Sequence, residues 1–549
     1  FTIENKKLWL LQTRKGKRNG LATIQIALDM SKEKMITQKE MLAKIHPKHI
    51  NEILLPTIDY KKNNQLKSLG KGLPAGPGCA SGQIVFSPDK AEKLVKKGQK
   101  IILVREETSP EDVQGMFVSE AILTSKGGMT SHAALVARGW GKCCIVGCNE
   151  LVIDEDNKQC KINNQTFKQG DWITLDGSQG IIYNNKIDLV KPKLKNNPLF
   201  SNLLSIINKY KKIAVRTNAE SKKDALTALS LGAEGIGLCR TEHMFFEPER
   251  IIAIQKMIVA KTKKDRRLAI MALLPYQTRD FYKILKAMDN QPVTIRLLDP
   301  PLHEFVPVTD KQIITLAKSL KITSKKLRQT IETLHEANPM LGHRGCRLGI
   351  TYPEVTEMQT QAIIKATMQL IKEGHKPKPE IMIPLVGSIG EFLHQKHIIN
   401  SAINKILTKG LDKILNIKIG TMIELPRACM IAHEIAAHAD FISFGTNDLT
   451  QTTYGFSRDD IGGFLPEYLN KKIIDFDPFQ TLDPYGVGEL ILIAIKKARS
   501  IKPNIKIGIC GEHGGDPKSI KFLVTAGVDY VSCSPYRVPI ASLTLAQIT

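Results

Sequence analysis

From about residue 210 to the C-terminus, short apolar stretches alternate with segments long enough to be helices. The stretches are IAVRTNA, GIGLCRT, VTIRLLD, HRGCRLG, EIMIPLV, IGTMIEL, FISFGTN and IGICGEH. Most are near-continuously apolar, as strands buried on both faces must be. A strand–helix alternation of this kind builds a parallel sheet. Eight repeats predict a (β/α)8 TIM barrel over residues 211–549, with HRGCRLG the least apolar member.

The remaining sequence is organised differently. A chain of 549 residues is too long for one core and predicts about three or four folding units. Residues 1–20 read as two strands and a basic loop, and 21–65 carry helical periodicity. The Gly- and Pro-rich LGKGLPAGPGCASG marks a boundary. Within 66–189, QIVFS, KIILVRE, AILTS, CCIVG and DWITLDG predict the strands of a compact α/β domain. The polar 190–210 reads as a second linker. The chain begins with Phe1 rather than Met, so a piece of a longer protein or the product of a truncated gene is expected.

Composition narrows the partners. The net charge of +24, from 78 basic and 54 acidic residues, raises a nucleic-acid partner. The lysines, however, are scattered through helical segments without a basic stripe or interleaved aromatics. They are read as solvated faces, and no nucleic acid is expected. No apolar run reaches the ~18–20 residues of a membrane span, so no membrane is expected. The ten cysteines show no disulfide framework, which places the chain in a reducing cytoplasm.

The chemistry of a barrel of this type lies at the C-terminal ends of its strands. Those ends carry Arg240, Arg296 with Asp299, Arg344, Glu424, Asn447 with Asp448, and Cys510. Guanidinium forks suit a planar anion such as phosphate or carboxylate. Glu424 and Asp448 end the sixth and seventh predicted strands, neighbours roughly 5 Å apart. Two hard carboxylates beside arginines suit Mg²⁺ that keeps other positions for water and substrate oxygens. A phosphorylated or carboxylated small molecule on magnesium is expected.

HEIAAH imitates a zinc helix, but His433 and His438 are five residues apart and about 140° out of alignment on an ideal helix. Zinc is rejected. Cys143, Cys144 and Cys148 lack paired ligand spacing and read as small core residues.

KGGMTSHAALVARGWG poses a separate question. Gly127-Gly128 allow a tight turn, and Thr130 or Ser131 would cap a helix starting near His132. A phosphoryl group on that imidazole would meet free backbone N–H groups at the helix start. Histidine is largely neutral and nucleophilic near neutral pH.

GGMTSHAALVARGWGKCCIVG resembles the phosphohistidine segment of the pyruvate, phosphate dikinases, which are phosphoenolpyruvate-utilising enzymes. GLCRTEHMFF, IRLLDPPLHEF, MLGHRGCRLGI, GTMIELPRACMIAHEIA, FISFGTNDLTQTTYGFSRDD and GICGEHGGDP resemble the barrel motifs of the same family. Relatives such as phosphoenolpyruvate synthase usually have Gly-Gly-Arg-Thr at the turn. Gly-Gly-Met-Thr, followed by Lys142-Cys143-Cys144, favours the dikinases, with the synthase or a truncated non-catalytic remnant as alternatives.

The resemblance implies an ATP-grasp domain, a swivelling phosphohistidine domain and a pyruvate barrel. It implies interconversion of ATP, phosphate and pyruvate with AMP, pyrophosphate and phosphoenolpyruvate through phospho-His132. Residues 1–20 would be the end of the ATP-grasp domain, with Gln12 and Arg14 as its nucleotide contacts. The barrel would bind substrate through Arg240, Arg296, Asp299, Arg344, Glu424, Gly445, Thr446, Asn447 and Asp448. Glu424 and Asp448 would hold Mg²⁺, Cys510 would donate a proton, and Thr130 would be a regulatory phosphorylation site. A homodimer through the barrel is also implied.

Overall fold

The structure, a computed structural model, describes the chain except residues 14, 15, 17, 19, 60–65, 109–111, 129, 130, 132, 135, 138–141, 156, 191–196, 246, 247, 261, 308, 309, 321, 335, 337, 407–416, 459 and 549. It divides into two units, residues 1–206 and 207–549.

The first unit opens with an antiparallel hairpin, Thr2–Glu4 with Lys7–Trp9, followed by helices Gly20–Lys32, Gln38–Lys44 and Pro47–Leu54. Its centre is an eight-stranded sheet. Strands Cys79–Val85, Ile101–Arg105, Ala121–Thr124 and Cys143–Val146 run parallel in sequence order. Antiparallel strands close both flanks. The five stretches expected from sequence in this domain all form strands here.

The parallel strands are apolar throughout because both faces are covered. Ile102, Val104, Leu123, Cys143 and Ile145 join one core. Leu103, Ile122, Cys144 and Val146 join another, with Ala133, Ala134 and Ala137 of the following helix. Successive strand residues point to opposite faces, so adjacent Cys143 and Cys144 belong to different cores. All ten cysteines are buried thiols outside any disulfide.

The second unit contains a closed barrel of eight parallel strands. They are β1 (Ala214–Asn218), β2 (Ile236–Arg240), β3 (Pro292–Arg296), β4 (Lys378–Ile383), β5 (Lys418–Ile423), β6 (Phe441–Phe444), β7 (Lys506–Ile509) and β8 (Tyr530–Cys533). β8 returns to β1 in register, Ala214 opposite Tyr530 and Val215 opposite Val531.

The number of strands agrees with the sequence reading, but one member differs. HRGCRLG is not a strand. Arg344 is the extended N-cap of helix α1 (Gly345–Thr351), which precedes the long helix α2 (Pro353–Lys372). Gly345 has φ +57°, a left-handed conformation that ends an extended path and that glycine adopts without steric cost. The missing strand is β8, whose four residues YVSC are all buried. Glu424 therefore follows β5 rather than a sixth strand. Asp448 follows β6, and Cys510 follows β7 rather than an eighth. The neighbour relations survive, since β5 pairs with β6 and β6 with β7.

Among the described residues no helix is long and apolar enough to cross a membrane.

Candidate active site

A cavity of about 360 Å³ opens at the C-terminal ends of the barrel strands, lined in part by Arg240, Arg296, Arg344, Glu424, Asp448 and Cys510. Asp299, Gly445 and Asn447 line it too. Residues up to 270 positions apart in sequence (Arg240 to Cys510) converge there because parallel strands all end on the same side.

Arg240 and Arg296 are the last residues of β2 and β3, paired side by side. Arg240 Nη1 donates to Glu220 Oε1 at 2.9 Å. Arg296 donates to Glu242 and pairs with Asp299 Oδ2 at 3.0 Å. Arg344 was expected at a strand end and instead reaches the cavity from the start of α1. Its Nη2 lies 2.7 Å from Asp299 Oδ2, and its Nη1 3.2 Å from Asp448 Oδ1. Burial alone would raise the Asp299 carboxyl, but Arg296 and Arg344 prevail and hold it below the usual carboxylate range.

Glu424 is fully buried. Its Oε1 accepts from the Leu385 N–H at 2.6 Å. Burial first, then the negative charges of Asp448 and Asp299, push its carboxyl well above the ordinary range, and Arg344 and Arg296 offset this only in part. Glu424 Oε2 and Asp299 Oδ1 are buried without a hydrogen-bond partner among the described residues, as are the Nε atoms of Arg296 and Arg344. Buried polar atoms are normally satisfied, so these atoms keep hydrogen-bonding or ligating capacity that the described side chains do not use.

Two carboxylates facing one cavity suit a hard divalent cation, and the open Glu424 Oε2 is the specific atom that fits one. Among the described residues no group of three or more His, Cys, Asp or Glu side chains could hold a metal by itself.

Gly445 caps helix α3 (Thr446–Tyr454), whose first turn carries Asn447 and Asp448. A Cβ at Gly445 would lie 2.7 Å from Glu424 Oε2 and 2.6 Å from Met422 Sδ. A side chain at this position would therefore crowd the carboxylate unless Glu424 and Met422 shifted. Thr446 is buried behind the cavity wall and pairs with His513. His513 Nε2 faces the Pro478 carbonyl at 2.9 Å and its Nδ1 faces Thr446 Oγ1 at 2.7 Å. The carbonyl can only accept, so Nε2 carries the proton, and in the neutral ring Nδ1 accepts from the Thr446 hydroxyl. Burial lowers the His513 pKa and favours that neutral form.

Cys510 Sγ sits in the cavity wall 3.6 Å from the Phe444 carbonyl. Burial pushes the thiol up to about 11, a shift softened by Ser443, so it is protonated at neutral pH.

In the other unit, Gly127 has φ +99° and a Cβ on Gly128 would meet nothing within 4 Å. The Ala134 N–H donates to Ser131 Oγ at 3.4 Å, so Ser131 provides the cap expected of Thr130 or Ser131. His132 and Thr130 lie outside the described residues, as does Arg14; Gln12 is exposed.

Sequence reading missed Glu220, Glu242, Leu385 and His513. Glu242 was within reach, standing two residues after Arg240. Leu385 acts through its main chain and leaves no side-chain signal.

The family description "PEP-utilising enzyme, PEP-binding domain" matches residues 195–549, and "PEP-utilising enzyme, mobile domain" matches residues 97–180. The chain is 50% identical over its whole length to pyruvate, phosphate dikinase 1, chloroplastic, of Arabidopsis thaliana, covering 57% of that protein. It is 51% identical to the pyruvate, phosphate dikinase of Rhizobium meliloti (strain 1021), covering 61%. It is 49% identical to that of Clostridium symbiosum, covering 62%. In each case the whole of this chain is aligned, and it spans about three fifths of the relative's length. With a barrel-spanning match over well more than half of its residues, the chain belongs to the PEP-utilising enzyme family.

Proposed function

We propose that this chain carries the phosphoenolpyruvate/pyruvate half of the pyruvate, phosphate dikinase reaction. In the complete protein, ATP, phosphate and pyruvate would be interconverted with AMP, pyrophosphate and phosphoenolpyruvate through phospho-His132. The observation that carries the reading is the convergence of Arg240, Arg296 and Arg344 with Glu424, Asp448 and Cys510 on one cavity. Near 50% identity to named dikinases over the full chain supports the same reading.

Arg240 and Arg296 bind the transferring phosphoryl group, whose equatorial oxygens gather charge in the transition state. Their anchoring by Glu220, Glu242 and Asp299 fixes the forks before substrate arrives, which is the preorganisation electrostatic catalysis requires. Arg344, Asn447 and the Gly445-Thr446 backbone hold the carboxylate and enolate oxygens. Glu424 and Asp448 would hold Mg²⁺, which when bound supplies charge neutralisation and a template for substrate oxygens. Cys510 keeps its proton at neutral pH and delivers it to the methylene carbon as pyruvate forms. His132 accepts the phosphoryl group and carries it between sites.

The family resemblance also supports a homodimer through the barrel, and the cysteine pattern favours a reducing cytoplasm. A chain of mass 61.1 kDa sedimenting as a monomer at micromolar concentration would remove the first.

The deciding experiment is incubation of the chain with phosphoenolpyruvate and Mg²⁺, without ATP, followed by mass spectrometry under conditions that preserve acid-labile phosphate. His132 should be labelled, and His132→Ala should be unlabelled with its barrel still folded. Labelling that persists in His132→Ala would show the nucleophile to be another residue.

A further inference from the structure

Leu385 has φ +58°. Left-handed backbone is uncommon for any residue with a Cβ, and such strain persists only where the surroundings over-determine it. Here they do so. The Leu385 N–H donates to Glu424 Oε1 at 2.6 Å. The carbonyls on either side of the turn are held as well: Pro384 O accepts from the Cys346 N–H at 3.1 Å, and Leu385 O from Cys346 Sγ at 3.2 Å. Two residues on, the Gly387 and Ser388 N–H groups both donate to Glu391 Oε2 at 2.8 Å.

The turn is backed by a second left-handed residue. A Cβ on Gly345 would stand 2.7 Å from Leu385 Cβ and 3.0 Å from Asp299 Oδ1. The Gly345 N–H donates to the Asp299 carbonyl at 2.7 Å. One small junction thus ties the loop after β3, the start of α1 and the loop after β4 to a single carboxylate. With Oε1 engaged from behind, Glu424 Oε2 is left without a partner among the described residues.

We propose that the left-handed turn at Leu385, backed by Gly345, is a positioning device that fixes the Glu424 carboxylate so that one oxygen is presented to a divalent cation. The inference rests on the reading of Glu424 as a metal ligand. Leu385 touches no substrate; it acts through the N–H that its unusual φ directs at Oε1.

The test separates backbone positioning from packing, because the two predict opposite orders for the same pair of variants. Leu385→Gly keeps the N–H and tolerates positive φ, but empties a buried side-chain site. Leu385→Val keeps most of the apolar volume, but a β-branched residue is a genuine outlier at that φ. The probe is Mn²⁺ binding to the 549-residue chain, followed by electron paramagnetic resonance, with Tm measured alongside. Leu385→Gly should have the larger fall in Tm and near-native Mn²⁺ affinity. Leu385→Val should bind Mn²⁺ about tenfold or more weakly, the usual scale for loss of a group that orients a ligand.

If Leu385→Val does not fold, Gly345→Ala provides the same displacement from the other side. Leu385→Gly combined with Gly345→Ala should then recover much of the lost affinity by removing the Cβ contact. Affinity that follows Tm, with Leu385→Gly the weaker binder, overturns the proposal and returns Leu385 to the core. Glu424→Gln separates the two layers. If it binds Mn²⁺ normally, the metal reading falls and the positioning role with it. If it binds weakly while Leu385→Val and Gly345→Ala bind normally, only the positioning role falls.

Discussion

Asp299 Oδ2 lies 2.7 Å from Arg344 Nη2 and 3.0 Å from Arg296 Nη1, so one buried carboxylate oxygen serves two guanidinium groups. Asp299 is the joint that sets the spacing of the two guanidinium groups. Removing its charge while keeping its shape leaves both arginines under-compensated in a buried place. Loss of one partner of such a buried pair costs about 3–5 kcal/mol. Asp299→Asn should therefore unfold at lower denaturant, with an unfolding free energy reduced by an amount in that range, and should also lose phosphoenolpyruvate-dependent labelling of His132. A variant with native stability would mean that solvent already reaches this pair.

Arg240 and Arg296 invite a sharper substitution. Lysine preserves charge but presents a point ammonium where each arginine offers a fork. Arg240 uses Nη1 on Glu220, and Arg296 divides its donors between Glu242 and Asp299. Lysine cannot hold these anchors and a phosphoryl oxygen together. The rate of His132 phosphorylation in Arg240→Lys and Arg296→Lys should fall by about 10²–10³, the scale seen when one preorganised donor is lost. Near-native single-turnover rates in both would leave the two arginines as structural ion pairs.

Much of this arrangement can be read before the structure is known. Strands β2, β3 and β5 are apolar runs that terminate in or just before a charged residue, Arg240, Arg296 and Glu424, and a parallel barrel collects those ends. HRGCRLG misleads because its arginines and apolar residues mimic the pattern, while the decisive feature is the left-handed backbone at Gly345. YVSC escapes notice because it is only four residues long and one of its buried side chains is serine; its character comes from pairing with β1, more than 300 positions away. The role of Leu385 is invisible for a related reason: it lies in a φ angle. The Thr446–His513 pair joins residues 67 positions apart, and neither sequence neighbourhood announces the other.

That pair carries a pH signature. His513 is buried and neutral, with its folded pKa below the ordinary value of about 6.5. The unfolded chain then takes up a proton more readily than the native one, so acid favours unfolding. Stability from this group should be complete above about pH 6.5, the unfolded value, and should decline as the pH falls from there through the depressed folded value. Denaturation curves collected across that interval should show the decline in the wild type and its loss in His513→Gln. An identical slope in both proteins would assign the acid sensitivity to other groups.

Cys510 provides the last test, because its two roles separate cleanly. It is almost completely buried, it follows β7, and its thiol faces the cavity that Glu424 and Arg296 also line. As a core residue alone, its replacement by alanine would remove one sulfur atom and shift Tm slightly. As the acid that completes pyruvate, it would leave a different trace. Burial holds the thiol proton up to about 11, so the group is an acid throughout the neutral range. Burial and the charge of Glu424 disfavour the anion left after transfer, and Ser443, Arg296 and Arg240 offset this in part. Cys510→Ala should still bind phosphoenolpyruvate, because neither the arginine forks nor the carboxylates depend on the sulfur. It should fail to exchange deuterium stereospecifically into the methyl group of pyruvate, and the deficit should be at least about 10² in rate, as expected for loss of a positioned proton donor. Cys510→Ser keeps the geometry but raises the proton's pKa far beyond that of a thiol, and should lie close to alanine. Exchange at the native rate in both variants would place the acid elsewhere on the cavity wall.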